Sequence, residues 1–106
     1  MNIKELMRPN LVEIHVSGKD WQDAIRAVGT LMVKDCAVEP RFIDAMIRVA
    51  NEFGPYIVLA PGFAMPHARP EDGCLRSSMA LITLAEPINF GNPQNDPVKV
   101  VVALAA

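Results

Sequence analysis

The chain has 106 residues, a net charge of −2 and a pI near 5.6, with 51% hydrophobic and 21% charged residues. That is enough apolar material for one small domain with a real core. It is too acidic, and too free of lysine or arginine runs, for a nucleic-acid binder that works through the phosphate backbone.

"MNIKELMRPN" lacks the apolar core of a signal peptide. The longest apolar run, Val100 to Ala106, falls far short of the ~20 residues of a membrane span. Direct membrane insertion is therefore not expected. Cys36 and Cys74 do not form a disulfide framework; a reducing cytoplasm and a role as small core residues are the default reading.

A short helix is expected at Ile3 to Met7, ended by Pro9. "LVEIHV" alternates, with Val12, Ile14 and Val16 on one side and Leu11, Glu13 and His15 on the other. It reads as a half-buried strand with His15 solvated. Ser17 or Asp20 then caps a helix whose apolar positions Trp21, Ala24, Ile25, Val28, Leu31 and Met32 fall at helical spacing, to about Lys34. A second helix opens at "VEPRF", with Pro40 in its first turn. Phe42, Ala45, Met46, Val49 and Phe53 form its stripe, and Gly54-Pro55 ends it.

"YIVLA" (56–60) reads as a strand buried on both faces. "SSMALITLAEPINF" begins with a strand to about Leu84, which Glu86 and Pro87 break. After the loop "GNPQND" comes a last strand, "PVKVVVALAA". The order strand, helix, helix, short strand and two longer strands predicts an α/β fold. A mixed sheet is expected to be flanked by helices in α/β/α layers.

Few side chains offer chemistry. Ser77 and Ser78 lack a G-x-S-x-G turn. No P-loop occurs, and no metal-ligand spacing: His67 and Cys74 lie seven residues apart, so no metal and no cofactor is expected. His67 stands out within "PGFAMPHARP". Pro66 fixes its own φ and pushes Met65 towards extended backbone, while Gly62 permits a turn upstream. The imidazole is thus held in a set direction at a strand exit, as a nucleophile near pH 7 requires. Arg69 could meet a phosphoryl group on the same face, and serine hydroxyls of the next strand could complete a cradle. On these residues alone, a surface-loop histidine and a site remain equally open.

The segment "APGFAMPHARPEDG", with "FGPYIVL" before it and "LITLAEPINFGNPQNDPVKVVVALAA" after it, resembles the IIA components of the bacterial phosphoenolpyruvate-dependent sugar phosphotransferase system. It is similar to the mannitol/fructose class and most like the ascorbate-specific branch, whose "G-x-A-M-P-H-x-R-P-E" segment carries the phosphorylated histidine. "WQDAI" and "VEPRF" are similar too. The resemblance implies a cytoplasmic phosphotransferase component. His67 would accept a phosphoryl group from the phosphohistidine of the carrier HPr and pass it to a cysteine of the IIB component. The membrane IIC permease would couple that transfer to sugar uptake, and Arg69 would stabilise the phosphoryl group.

The resemblance also implies a single IIA domain over 1–106 that is truncated at its C-terminus. The family's second active-site histidine and closing helices are expected beyond Ala106, and sheet surface is expected to lie exposed without them. His15 does not match that histidine. The arginine that mannitol-type relatives place on the helix before the motif would fall near Asn51, with Arg48 one turn away and assigned no catalytic role. The alternatives are a regulatory, non-transporting IIA-like domain, in which phosphorylation controls protein binding, and an inactive interaction module.

Overall fold

The computed structural model describes residues 2–106. Helix α1 (Ile3–Leu6) and a 3₁₀ turn (Pro9–Leu11) lead into strand β1 (Val12–Val16). Helices α2 (Trp21–Lys34) and α3 (Arg41–Phe53) follow, then β2 (Val58–Ala60), β3 (Phe63–Ala64), β4 (Ser78–Ile88) and β5 (Val98–Ala105). The sheet is open, in the order β1-β4-β5-β3-β2. β1 runs parallel to β4 and β3 parallel to β5, whereas β4/β5 and β2/β3 are antiparallel. This is the mixed α/β sheet with packed helices that the sequence leads one to expect.

Asp20, rather than Ser17, caps α2: its carboxylate accepts the Asp23 N–H at 2.9 Å. Ala24, Ile25, Val28 and Met32 of α2 pack with Phe42 and Met46 of α3 in the core, all with no exposed surface. From β4 and β5, Ala80, Ile82, Val101 and Ala103 join them. Gly29 lets the two helices cross closely, since a Cβ there would stand 2.6 Å from Ile43 Cγ1.

Several expectations need correction. β4 does not stop at Leu84 but runs through Glu86 and Pro87 to Ile88. Its pairing with β5 shifts between Thr83 and Ile88, so Pro87 sits in an irregularity where its missing N–H breaks no ladder bond. "YIVLA" is not a strand buried on both faces: a 3₁₀ turn (Gly54–Ile57) occupies its start, and β2 is an edge strand. Tyr56 and Leu59 are exposed.

β1 is also an edge strand, and Val12 and Ile14 remain exposed rather than buried. A left-handed residue, His15 (φ 56°), interrupts it, and the His15 N–H donates to Thr83 Oγ1 at 2.9 Å. Such a break discourages pairing with another chain. Cys36 is exposed, also with a positive φ, and only Cys74 packs partly against the core. β3 was not anticipated at all.

The N-terminal segment is tied to the body of the domain through Asp35, at the end of α2. Its carboxylate accepts bonds from Arg8, Asn10 (2.7 Å) and Arg76, and its carbonyl accepts a second bond from Arg76 (2.8 Å). Partial burial opposes ionisation, but the bonds from Asn10 and Arg76 and the two positive charges outweigh it, holding the carboxyl below its ordinary pKa. The unfolded chain therefore binds the proton more readily. This contribution to stability is complete above about pH 4 and disappears as pH falls through the lowered folded value. Asp35→Ala is expected to cost about 1–3 kcal/mol at pH 7, with both arginines half in water. Chemical denaturation at pH 7 and pH 3 checks this: the difference between wild type and variant should shrink at the lower pH.

Candidate functional site

Three local devices place His67. The chain turns at Gly62, whose φ of 75° suits glycine, and its N–H and C=O bind Asn95 and the start of β5. Phe63 and Ala64 then pair with Val100 and Val101. Beyond them the Leu104 N–H donates to the Pro66 carbonyl at 3.0 Å, and His67 bridges in parallel to Leu104. Pro66 is buried, whereas His67 is exposed. The proline thus anchors the segment in the fold, and the next residue delivers its ring to the surface, as "PGFAMPHARP" predicts.

The ring has a defined orientation. His67 Nδ1 lies 3.0 Å from the Met65 carbonyl. A carbonyl only accepts, so Nδ1 is the donor, and in the neutral ring Nε2 is the nitrogen with the free lone pair. His67 borders an open cavity of about 480 Å³ that is also lined by Val49, Phe53, Tyr56, Ile57, Ala68 and Arg69. The wall is largely apolar. Phe53 is 53% and Tyr56 80% exposed. The last turn of the expected α3 stripe is therefore not core; Val49 and Phe53 instead face this hollow.

The structure brings His67 and Arg69 to one cavity. Among the described residues the Arg69 guanidinium forms no ion pair, which leaves its charge available to an incoming anion. The serines do not join them. Ser78 is 2% exposed, and its hydroxyl is buried at the start of β4 without a partner among the described residues; neither Ser77 nor Ser78 lines the cavity. Asn51 borders a different hollow, with Trp21 and Phe90.

Sequence reasoning passed over Asp72, whose carboxylate accepts the Arg69 N–H at 3.1 Å and faces Arg48 at 3.4 Å. The signal was present: a proline opening a short turn with an acid at its third position (Pro70–Asp72) is a capping pattern. Among the described residues no three acidic, histidine or cysteine side chains gather as metal ligands, and no helix is long and apolar enough to cross a membrane.

Residues 5–106 match the family described as phosphoenolpyruvate-dependent sugar phosphotransferase system, EIIA 2. The chain belongs to this EIIA family. It is 38% identical to the ascorbate-specific PTS system EIIA component of Shigella boydii, over its whole length and 70% of that protein. The solution structure of the mannitol-specific cryptic enzyme IIA CmtB of Escherichia coli superposes with a TM-score of 0.88 at 34% identity, over all of this chain and 71% of that one. The Escherichia coli IIA mannitol enzyme, solved in complex with phosphorylated IIB, superposes at 0.82 with 25% identity, over 95% of this chain and 72% of that one. The chain thus spans about two thirds of the length of these EIIA relatives.

Proposed function

We propose that residues 1–106 act as one IIA phosphocarrier domain, with His67 Nε2 as the phosphoryl acceptor. The observation that supports this reading is the Nδ1 contact to the Met65 carbonyl, which makes Nε2 the free nitrogen of the neutral ring, on a residue that lines the cavity. The donor is the phosphohistidine of HPr. The Nε2 lone pair attacks phosphorus, the P–N bond of the donor breaks, and its electron pair returns to the donor ring. A IIB cysteine thiolate then attacks phosphorus, and the P–Nε2 bond breaks in turn.

Neither step needs a proton relay, so the domain mainly has to position the group and balance charge on its equatorial oxygens. Arg69 supplies that charge. Phe53 and Tyr56 offer an exposed apolar rim, of the kind a protein partner covers while it brings its reactive group to the ring. The complex of a related IIA with phosphorylated IIB supports the IIB step. Similarity to ascorbate-specific components supports ascorbate as the sugar taken up through IIC, and a cytoplasmic location follows from that partnership.

The test is labelling. With phosphoenolpyruvate, the general first enzyme and HPr, the chain is expected to acquire an acid-labile, alkali-stable phosphoryl group. Absence of label in the wild-type chain would overturn the reading.

A further inference from the structure

We propose that Asp72 is a positioning residue for this transfer, acting through Arg69; the inference rests on the phosphocarrier reading. Asp72 holds both backbone groups of Arg69. Oδ2 accepts the Arg69 N–H at 3.1 Å, and the Asp72 N–H donates to the Arg69 carbonyl at 2.9 Å. The other carboxylate oxygen, Oδ1, meets Arg48 Nη2 at 3.4 Å. The same turn is fixed further along. Arg41 Nη1 donates to the Glu71 carbonyl at 3.0 Å, and the Glu39 N–H donates to the Gly73 carbonyl at 2.8 Å.

Arg41 and Arg48 are two helical turns apart, hence on one side of α3. The 69–73 turn is therefore strapped along the helix at two points, with Arg69 at its leading end. Gly73, in a left-handed conformation (φ 119°), has Glu39 Cβ and Arg41 Cγ 3.2 and 3.3 Å from where its own Cβ would be. The turn has little room to slide.

Among the described residues, the Arg69 side chain is in no ion pair. It borders the His67 cavity on one side and, on the other, a second hollow of about 200 Å³ shared by Arg48, Glu52 and Asp72. Two carboxylates on that second side would draw the guanidinium away from His67. Asp72 is kept from doing so because its charge is paired with Arg48 while its other oxygen holds the Arg69 backbone. With Asp72 so occupied, the guanidinium keeps its charge for a phosphoryl group at the His67 cavity, and among the described residues it has no resting ion pair that such a group would have to break.

A double-mutant cycle tests this. His67 phosphorylation is timed in wild type, Asp72→Ala, Asp72→Asn, Arg69→Ala and Arg69→Ala/Asp72→Ala, with thermal unfolding followed in each. Two donors are used: phospho-HPr, and phosphoramidate, whose P–N bond breaks with ammonia leaving and which needs no protein partner. Asp72→Ala is expected to slow transfer about tenfold, the scale of a lost positioning contact. On the Arg69→Ala background it should add less than about twofold, as coupled sites do. Asp72→Asn, which keeps an acceptor for the Arg69 N–H, should recover most of the rate.

Full additivity, or an unchanged rate in Asp72→Ala, overturns the proposal. The donors separate the two readings. If phospho-HPr fails on wild type while phosphoramidate still gives non-additive losses, the carrier reading falls and the positioning role stands. Additive losses with phosphoramidate overturn the positioning role whatever HPr does.

Discussion

Replacing His67 with alanine is expected to abolish phosphoryl acceptance completely, with little effect on folding. The side chain is exposed, and among the described residues it bonds only to the carbonyl of Met65, two residues away, so its removal leaves the core untouched. No neighbouring group can take over the chemistry. Ser78 is buried, and His15 lies on β1, separated from the His67 segment by β4 and β5. His15→Ala should therefore label as wild type does. Label retained in His67→Ala would remove His67 as the acceptor. Arg69→Ala should slow labelling by about 10- to 100-fold rather than abolish it, because a charge-assisted donor lowers a barrier without supplying the nucleophile. An unchanged rate would remove Arg69 from the mechanism.

The helices of the fold were legible because their signals are local. Asp20 before a 3.6-period stripe, and Pro40 and Gly54 around the next one, mark α2 and α3 almost to the residue. The strands were less so. β3 is two residues long and exists only because Val100 and Val101, far along the chain, pair with it. Pro87 looks like a strand breaker until the register shift in β4 is seen. Alternation correctly made β1 a strand, but alternation cannot tell whether a partner layer covers the apolar side, and Val12 and Ile14 are left in the open.

The site follows the same division. Pro66, His67 and Arg69 declare themselves within one decapeptide. The apolar wall from Val49 and Phe53, and the Arg48–Asp72 contact, depend on how α3 lies across that loop. The apolar residues that failed as core predictions are informative for that reason. Phe53 and Tyr56 were read as buried positions and are instead the exposed rim beside His67.

Phe42→Ala is expected to be the most destabilising single change considered, at about 3–5 kcal/mol, through the large cavity it leaves. Phe42 has no exposed surface and opens α3 at the point where it packs on α2. A domain of this size has about 5–15 kcal/mol in total, so the variant should unfold more than about 10 °C lower. The same substitution separates stability from chemistry. Phe42 does not line the His67 cavity, whereas Val49 and Phe53, on the same helix, do. Well below its melting temperature, Phe42→Ala should therefore take up phosphoryl groups at close to the wild-type rate per folded molecule, and lose this only as it melts. A rate that falls while the far-ultraviolet circular dichroism remains native would mean that α3 has shifted over the site. The helix would then be part of the catalytic geometry along its whole length, and not only where Arg48, Val49 and Phe53 meet the His67 loop.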